Sequence, residues 1–275
     1  MKVLGSGGAV PFPKPGCDCQ DCKKAKEEGI PYERISSSLF CYPDILIDTP
    51  EEVFRRMIEF GISNLNHIFY THWHPDHTQG SRLFEMWVKS GFAGKQNKNP
   101  LKVYLPDNMI SDFVDKLPVF DFYQKQKFIS IESVKDRKPV VLDEVSIIPV
   151  DLKREDRVRY AYLIKNNINN KKIMYAPCSV FGAKIDHFWK DLNVLFLETG
   201  WRGDTTTLRK KEVEPWFKDH ISLEECFDFF KKLKPDRLFF THLEGTLHQT
   251  YDNISEKTKN FENINVAFDG MDLKL

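Results

Sequence analysis

Residues 71–80, THWHPDHTQG, set His72, His74, Asp76 and His77 within one turn, directly after the apolar run HIFY. Imidazole nitrogen and carboxylate oxygen suit zinc, iron or manganese, and a set this poor in thiolate is unlike a purely structural tetrahedral site. His72 and His74 are two apart and can point the same way, so two adjacent ions sharing one loop is the natural reading. The chain has eight histidines, and three in a single turn argue against simple strand-end capping. A second group of donors lies near the start. CDCQDC places Cys17, Cys19 and Cys22 in a C-x-C-x-x-C run, a spacing that marks a structural zinc more often than a redox pair. Zinc–sulfur bonds can close a loop that has little core of its own, but three thiolates need a fourth ligand.

These donors need a scaffold. If NHIFY is a strand, THWHPDH leaves its end as a loop, where side chains converge while a rigid sheet holds their roots. Short β-branched or aromatic runs recur at KVLGSG, DILIDT, LKVYLP, KPVVLDEVSIIPVDL, YAYLIKN, KKIMYAPC, VLFLET, RLFFTHL and NVAFDGMDLKL, each of strand length with turn signals nearby. Helical period is found in PEEVFRRMIEFG, SRLFEMWVKSGF, MISDFVDKLPVFDFYQ, KIDHFWKDL and SLEECFDFFKKLK. Strands in succession with helices on either side predict an α/β architecture of two sheets packed face to face and helices outside. KSGFAGKQNKNP reads as an exposed loop and NNINNKK as a hairpin tip. Neither marks a boundary, so residues 1–275 read as one domain with a Cys-rich zinc loop at about 16–24.

Composition narrows the partners. Forty basic and forty acidic residues cancel, which argues against long nucleic acid bound through a broad basic surface. The start lacks a signal peptide, and no stretch approaches the roughly 20 apolar residues that cross a bilayer. A cytoplasmic protein with no membrane partner is expected, and a homo-oligomer is compatible with this. The six cysteines then read as thiols or metal ligands. Cys41 and Cys226 stand in apolar contexts and read as core; His67 and His187, beside apolar runs, receive no role.

HWHPDH fits the His-x-His-x-Asp-His signature of the metallo-β-lactamase fold hydrolases, which the chain resembles over nearly its whole length. GSGGAVPFPKPGCDCQDC, the strand ILIDT with Asp48, FFTHL with His242 and the ending AFDGMDLKL resemble the branch containing the phosphoribosyl 1,2-cyclic phosphate phosphodiesterases and a protein of pyrroloquinoline quinone biosynthesis. The resemblance implies an αββα sandwich with two metal ions at one edge. It implies that His72 and His74 serve the first ion, that Asp76, His77 and His242 serve the second, and that Asp48 orients the ligand loop. It also implies a histidine completing the cysteine site, for which His248 in THLEGTLHQ is the candidate.

The chain departs from the family pattern at two places. No histidine occurs from residue 78 to 186, so the first ion lacks a third imidazole; Asp151 is the nearest substitute, with Glu155 and Asp156 less well placed. The bridging aspartate position falls on Cys178, a softer ligand that favours zinc over manganese. The expected outcome is asymmetric, with a tight second site of Asp76, His77, Cys178 and His242 and a weaker first one.

Metal ions in such a site lower the pKa of water and polarise a phosphoryl or carbonyl oxygen, so that a hydroxide attacks in line. A proton must still reach the leaving oxygen, and His220 in KDHISLEE is the candidate, held at a helix entry by Ser222 as N-cap with Glu225 three residues on. His220 and Asp76 are thus the expected catalytic residues. Arg202 in TGWRGDTT is the choice for a substrate phosphate, and Lys153 and Arg154 lie near enough to meet an anion. The reading is a metal-dependent hydrolase, a phosphodiesterase acting on a small cyclic or nucleotide-like ester, with zinc as structural ion and zinc, manganese or iron at the catalytic site. Two rivals stand: a cofactor-biosynthesis enzyme with one redox metal, and a non-catalytic anion-binding member of the fold. The fold alone does not choose a substrate.

Overall fold

Alternation within the strands explains how the chain makes its layers. In a computed structural model, which describes all residues except 90–98, 154–157, 201–203, 209, 211, 214 and 275, two sheets form. The first comprises β1 (Lys2–Gly5), β2 (Ser38–Cys41), β3 (Ile45–Ile47), β4 (His67–Phe69), β5 (Leu101–Pro106) and β6 (Ile129–Val134) in that spatial order. The second comprises β7 (Val140–Leu142), β8 (Val145–Asp151), β9 (Tyr160–Asn166), β10 (Lys172–Ala176), β11 (Val194–Glu198), β12 (Arg237–Thr241) and β13 (Ile264–Val266), again in chain order across the sheet. Ile45 and Ile47 enter the core shared with Val194 and Phe196 of the other sheet. Leu46 packs with Val53 and Met57 of the helix outside the first sheet, and Leu195 and Leu197 pack with Leu223 and Cys226 of the helix outside the second. Strands covered on both faces read as unbroken apolar runs, which is why VLFLE shows no polar alternation. The αββα sandwich expected from the sequence is the observed architecture.

Some local expectations are corrected. KIDHFWKDL, read as helical, makes only a 3-10 turn at His187–Trp189. Asp186 caps that turn by accepting from Phe188 N and is also gripped by Arg137, while Trp189 is fully buried; these tertiary anchors leave no room for further turns. MISDFVDKLPVFDFYQ splits into helices Ile110–Lys116 and Val119–Lys125 because Leu117, ahead of Pro118, leaves the helical region at φ −128 and ψ 66. The Cys-rich segment runs into an unforeseen helix, Gln20–Glu28. Strand β2, four wholly buried residues, and β6 were not among the expected strands. The hairpin tip at NNINNKK is observed between the antiparallel β9 and β10, whereas most of KSGFAGKQNKNP lies outside the described residues.

Topology decides where chemistry can gather. Strands β3 to β6 run parallel, as do β10 to β13. Their carboxyl ends, with the β8–β9 connection, open on the same edge of the sandwich, the customary place for a site in parallel sheets.

Candidate metal centre

Three strand ends meet at this edge. Asp48, just past β3, adopts a left-handed backbone at φ +62 and is fully buried. Its carboxylate accepts from Thr71 N at 2.8 Å, from Thr71 Oγ1 at 2.8 Å and from His77 Nδ1 at 2.7 Å. Thr71 Oγ1, its proton spent on Asp48, lies 3.0 Å from His72 Nδ1 and can only accept from it. Both rings are thereby held with Nδ1 protonated and Nε2 offering a lone pair. The loop turns back because Pro75 starts a helical turn at Pro75–Thr78 in which His77 N donates to His74 O at 3.0 Å.

The donor atoms of Asp76, His77 and His242 lie within 4.8 Å of one another, as do those of His72, His77 and Cys178. Asp76 Oδ2 is 3.2 Å from His77 Nε2 and 3.4 Å from His242 Nε2. His242 follows β12 at φ +55, its ring 5.6 Å from that of His77 and nearly parallel to it. Among the described residues, His72 Nε2, His77 Nε2 and both ring nitrogens of His242 are buried without an aligned hydrogen bond, with Asp76 Oδ2 standing close to His77 Nε2 and His242 Nε2. Buried polar atoms left so need an explanation, and a cation between Asp76, His77 and His242 provides one for His77 Nε2 and His242 Nε2.

The electrostatics agree. Burial opposes charge on Asp76, but His77 and His242 outweigh it and hold the carboxyl well below its usual range. Burial likewise pushes the Cys178 thiol up, yet the neighbouring His242 and His77 imidazoles bring it down to about 6. His77 and His242 are raised against their own burial, chiefly by Asp76 with Asp48 and by Cys178 with Asp76 respectively. A carboxylate and a thiol, both of lowered pKa, beside two imidazoles make a set that a divalent cation fits. Asp48→Ala is expected to weaken zinc binding at this centre about 10–100-fold, as removal of a partner behind a ligating histidine does. Competition against a chromophoric chelator measures it, and an unchanged affinity would refute the orienting role.

The first-ion position is different. His74 Nε2 lies 2.9 Å from Arg159 Nη2. Asp151, expected as the third ligand, is in none of the described donor clusters. Paired with Tyr160 across the β8–β9 ladder, it directs its carboxylate to Lys153, accepting from the backbone N at 2.7 Å and meeting Nζ at 3.4 Å. Lys153 is tied up with Asp151 and Asp136. Arg154, Glu155, Asp156 and Arg202 lie outside the described residues.

His220 stands beside the centre, its ring 5.4 Å from that of His242. Ser222 and Glu225 form the expected capping box, with Glu225 N donating to Ser222 Oγ at 3.1 Å and Ser222 N to Glu225 Oε2 at 2.7 Å. Behind His220 lies a residue that sequence reading missed. Glu198 ends β11 fully buried; Oε2 bonds His220 Nδ1 and Oε1 accepts from Val180 N. Burial would lower the His220 pKa, but Glu198 prevails and raises it. A carboxylate closing the apolar run VLFLE was the available signal. Gly200 makes the approach feasible, since a Cβ there would fall 2.3 Å from His220 Cγ.

Away from this edge, the sulfurs of Cys17, Cys19 and Cys22 lie within 4.8 Å of one another, and His248 joins Cys19 and Asp21 in a second such group. His248 Nδ1 is 2.6 Å from Asp21 Oδ2, and Lys14 N donates to Cys22 Sγ at 3.3 Å. The three cysteines could supply three ligands to a tetrahedral zinc site, while His248, grouped with Cys19 and Asp21 alone, stands at its rim. Cys41 and Cys226 are buried in the cores; His67 bonds Tyr104 and His187 sits in the 3-10 turn. Among the described residues no helix is long and apolar enough to cross a membrane.

A family model described as the Beta-lactamase superfamily domain matches residues 42–243. No curated protein matches the chain. Among solved structures it is similar to a new diphosphatase from the PhnP family, at 21% identity and TM-score 0.75 over 100% of this chain and 96% of that one. It is similar to Zn2+-bound PqqB from Methylobacterium extorquens, at 15% identity and TM-score 0.74 over 100% and 99%. Human tRNase Z, short form, aligns at 16% identity and TM-score 0.64 over 99% and 98%. At these identities the likeness is one of fold.

Proposed function

Since the chain belongs to the β-lactamase superfamily, we propose that it is a metal-dependent hydrolase that cleaves a small cyclic or nucleotide-like phosphodiester. The observation that carries this reading is a pair of donor groups sharing His77, one of Asp76, His77 and His242 and one of His72, His77 and Cys178, beside the His220–Glu198 pair. Zinc is the ion that this thiolate-containing set favours, and a second zinc fits Cys17, Cys19, Cys22 and His248. A divalent ion held by Asp76, His77, Cys178 and His242 would supply Lewis acidity toward water and a phosphoryl oxygen. The remaining steps belong to side chains of this chain. Asp48 holds His77 in one tautomer and one orientation. Glu198 engages Nδ1 of His220, which leaves Nε2 as the nitrogen that gives a proton to the leaving oxygen. Glu198 also keeps the imidazolium form populated before transfer, so the proton is in place when the P–O bond breaks. The structures described as a PhnP-family diphosphatase and a tRNase Z share this scaffold, and their names support a phosphate-containing substrate.

Turnover of bis-p-nitrophenyl phosphate by zinc-loaded protein tests the reading. Hydrolysis is expected, and it should vanish in His77→Ala together with the ion. A loaded, folded protein inert toward aryl and alkyl phosphodiesters alike would overturn it, and oxygen consumption by an iron-loaded sample would instead favour redox chemistry at one metal.

A further inference from the structure

We propose that the guanidinium of Arg159 replaces the first metal ion, so that the centre at this edge holds a single cation, ligated by Asp76, His77, Cys178 and His242. The inference rests on the metal centre assigned above but not on the reaction it performs.

The geometry is specific. Arg159 Nη2 and His74 Nε2 are 2.9 Å apart. A guanidinium has donors only and stays protonated in proteins, so in that bond His74 Nε2 must be the acceptor. The lone pair that would bind a first ion is therefore engaged. Arg159 is 1% exposed, and the peptide that follows it is held by two backbone bonds. Leu152 N donates to Arg159 O at 3.0 Å within the β8–β9 connection, and Tyr160 N donates to Thr71 O at 3.0 Å, linking the residue after Arg159 to the one before His72. The arginine thus stands beside His74 because the entry to β9 is held against the histidine loop by the Tyr160 N–Thr71 O bond. The same connection turns Asp151 away toward Lys153. Among the described residues, the side chain bonded to His74 Nε2 is this guanidinium rather than another anionic or imidazole donor, and its positive charge disfavours a second cation there. Like-charge exclusion and loss of a ligand act in the same direction.

Zinc counting by inductively coupled plasma mass spectrometry on gel-filtered, zinc-saturated protein tests this. Differences between variants cancel any ion at Cys17, Cys19 and Cys22, and Cys22→Ser identifies that ion separately. His77→Ala should lose one equivalent relative to wild type, whereas His74→Ala should lose none. Arg159→His should gain one equivalent, since it removes the charge and adds an imidazole. Loss of an ion in His74→Ala would overturn the proposal, as would a folded Arg159→His protein with no gain. Circular dichroism establishes folding of each variant, and the His74→Ala comparison decides the matter without any change at Arg159. The counts are independent of catalysis, so a protein that binds one ion yet hydrolyses nothing would refute the proposed function and leave this inference intact.

Discussion

His220→Gln is expected to slow cleavage of an alkyl phosphodiester by about 10²–10⁴-fold while leaving the zinc content unchanged. The loss should depend on the leaving group. An alkoxide must be protonated as the P–O bond breaks, which is the task assigned to His220 Nε2, whereas p-nitrophenolate is stable without a proton. On bis-p-nitrophenyl phosphate the same variant should therefore lose about tenfold or less. A merely structural role for His220 would depress both substrates equally. Glutamine is the informative replacement because it can still donate a hydrogen bond toward Glu198 but cannot shuttle a proton, so the bond that packs His220 against β11 is kept in kind. Equal losses on the two substrates, or a loss of zinc, would contradict the assignment.

The largest effect on stability should come from Asp269→Ala, at about 3–5 kcal/mol, the range for breaking a buried charge network from one side. Asp269 is fully buried; Oδ1 accepts from Ser6 N and Ser6 Oγ, both at 2.9 Å, and Oδ2 from Ile35 N at 2.8 Å. Arg56 Nε lies 3.3 Å away. The residue ties together the ends of β1, the segment leading to β2, the helix Val53–Glu59 and the C-terminal segment. Alanine leaves buried donors with no acceptor, each a cost in its own right. The damage should also reach the metal centre, because Gly8 N donates to Leu243 O at 2.9 Å and Leu243 N to Ser6 O at 3.1 Å, beside His242. A urea midpoint shifted with unchanged slope reads the stability loss. A loss below about 1 kcal/mol would show that water or rearrangement replaces the carboxylate.

What could be read from the chain, and what could not, follows from how far apart the partners lie. His72, His74, Asp76 and His77 announce themselves because one loop supplies them all, and an apolar strand stands directly before it. Asp48, Cys178 and His242 are legible through the resemblance to the metallo-β-lactamase fold, and each ends a run whose strand character is plain. His220 is legible through the Ser222–Glu225 cap beside it. Arg159 is not: it lies 85 residues from His74, and only the docking of one sheet's edge on the other's loop brings the two together. Glu198 is concealed in the sequence because it closes an apolar strand, and only the fold shows that its carboxylate faces His220. Asp151 misled for the opposite reason. Its position along β8 is right for a ligand, but the ladder with β9 and the charge of Lys153 draw the carboxylate elsewhere. Periodicity failed at KIDHFWKDL because a buried Trp189 and the Arg137–Asp186 pair override a helical pattern only a few residues long.

Crystals of the zinc-loaded protein, examined by anomalous scattering at the zinc edge, address the metal centre most directly. A peak is expected within about 2.0–2.3 Å of an Asp76 carboxylate oxygen, His77 Nε2, Cys178 Sγ and His242 Nε2. A peak at Cys17, Cys19 and Cys22 would show that the crystals took up zinc; with that peak present and none between His77 and His242, the proposed centre would be contradicted.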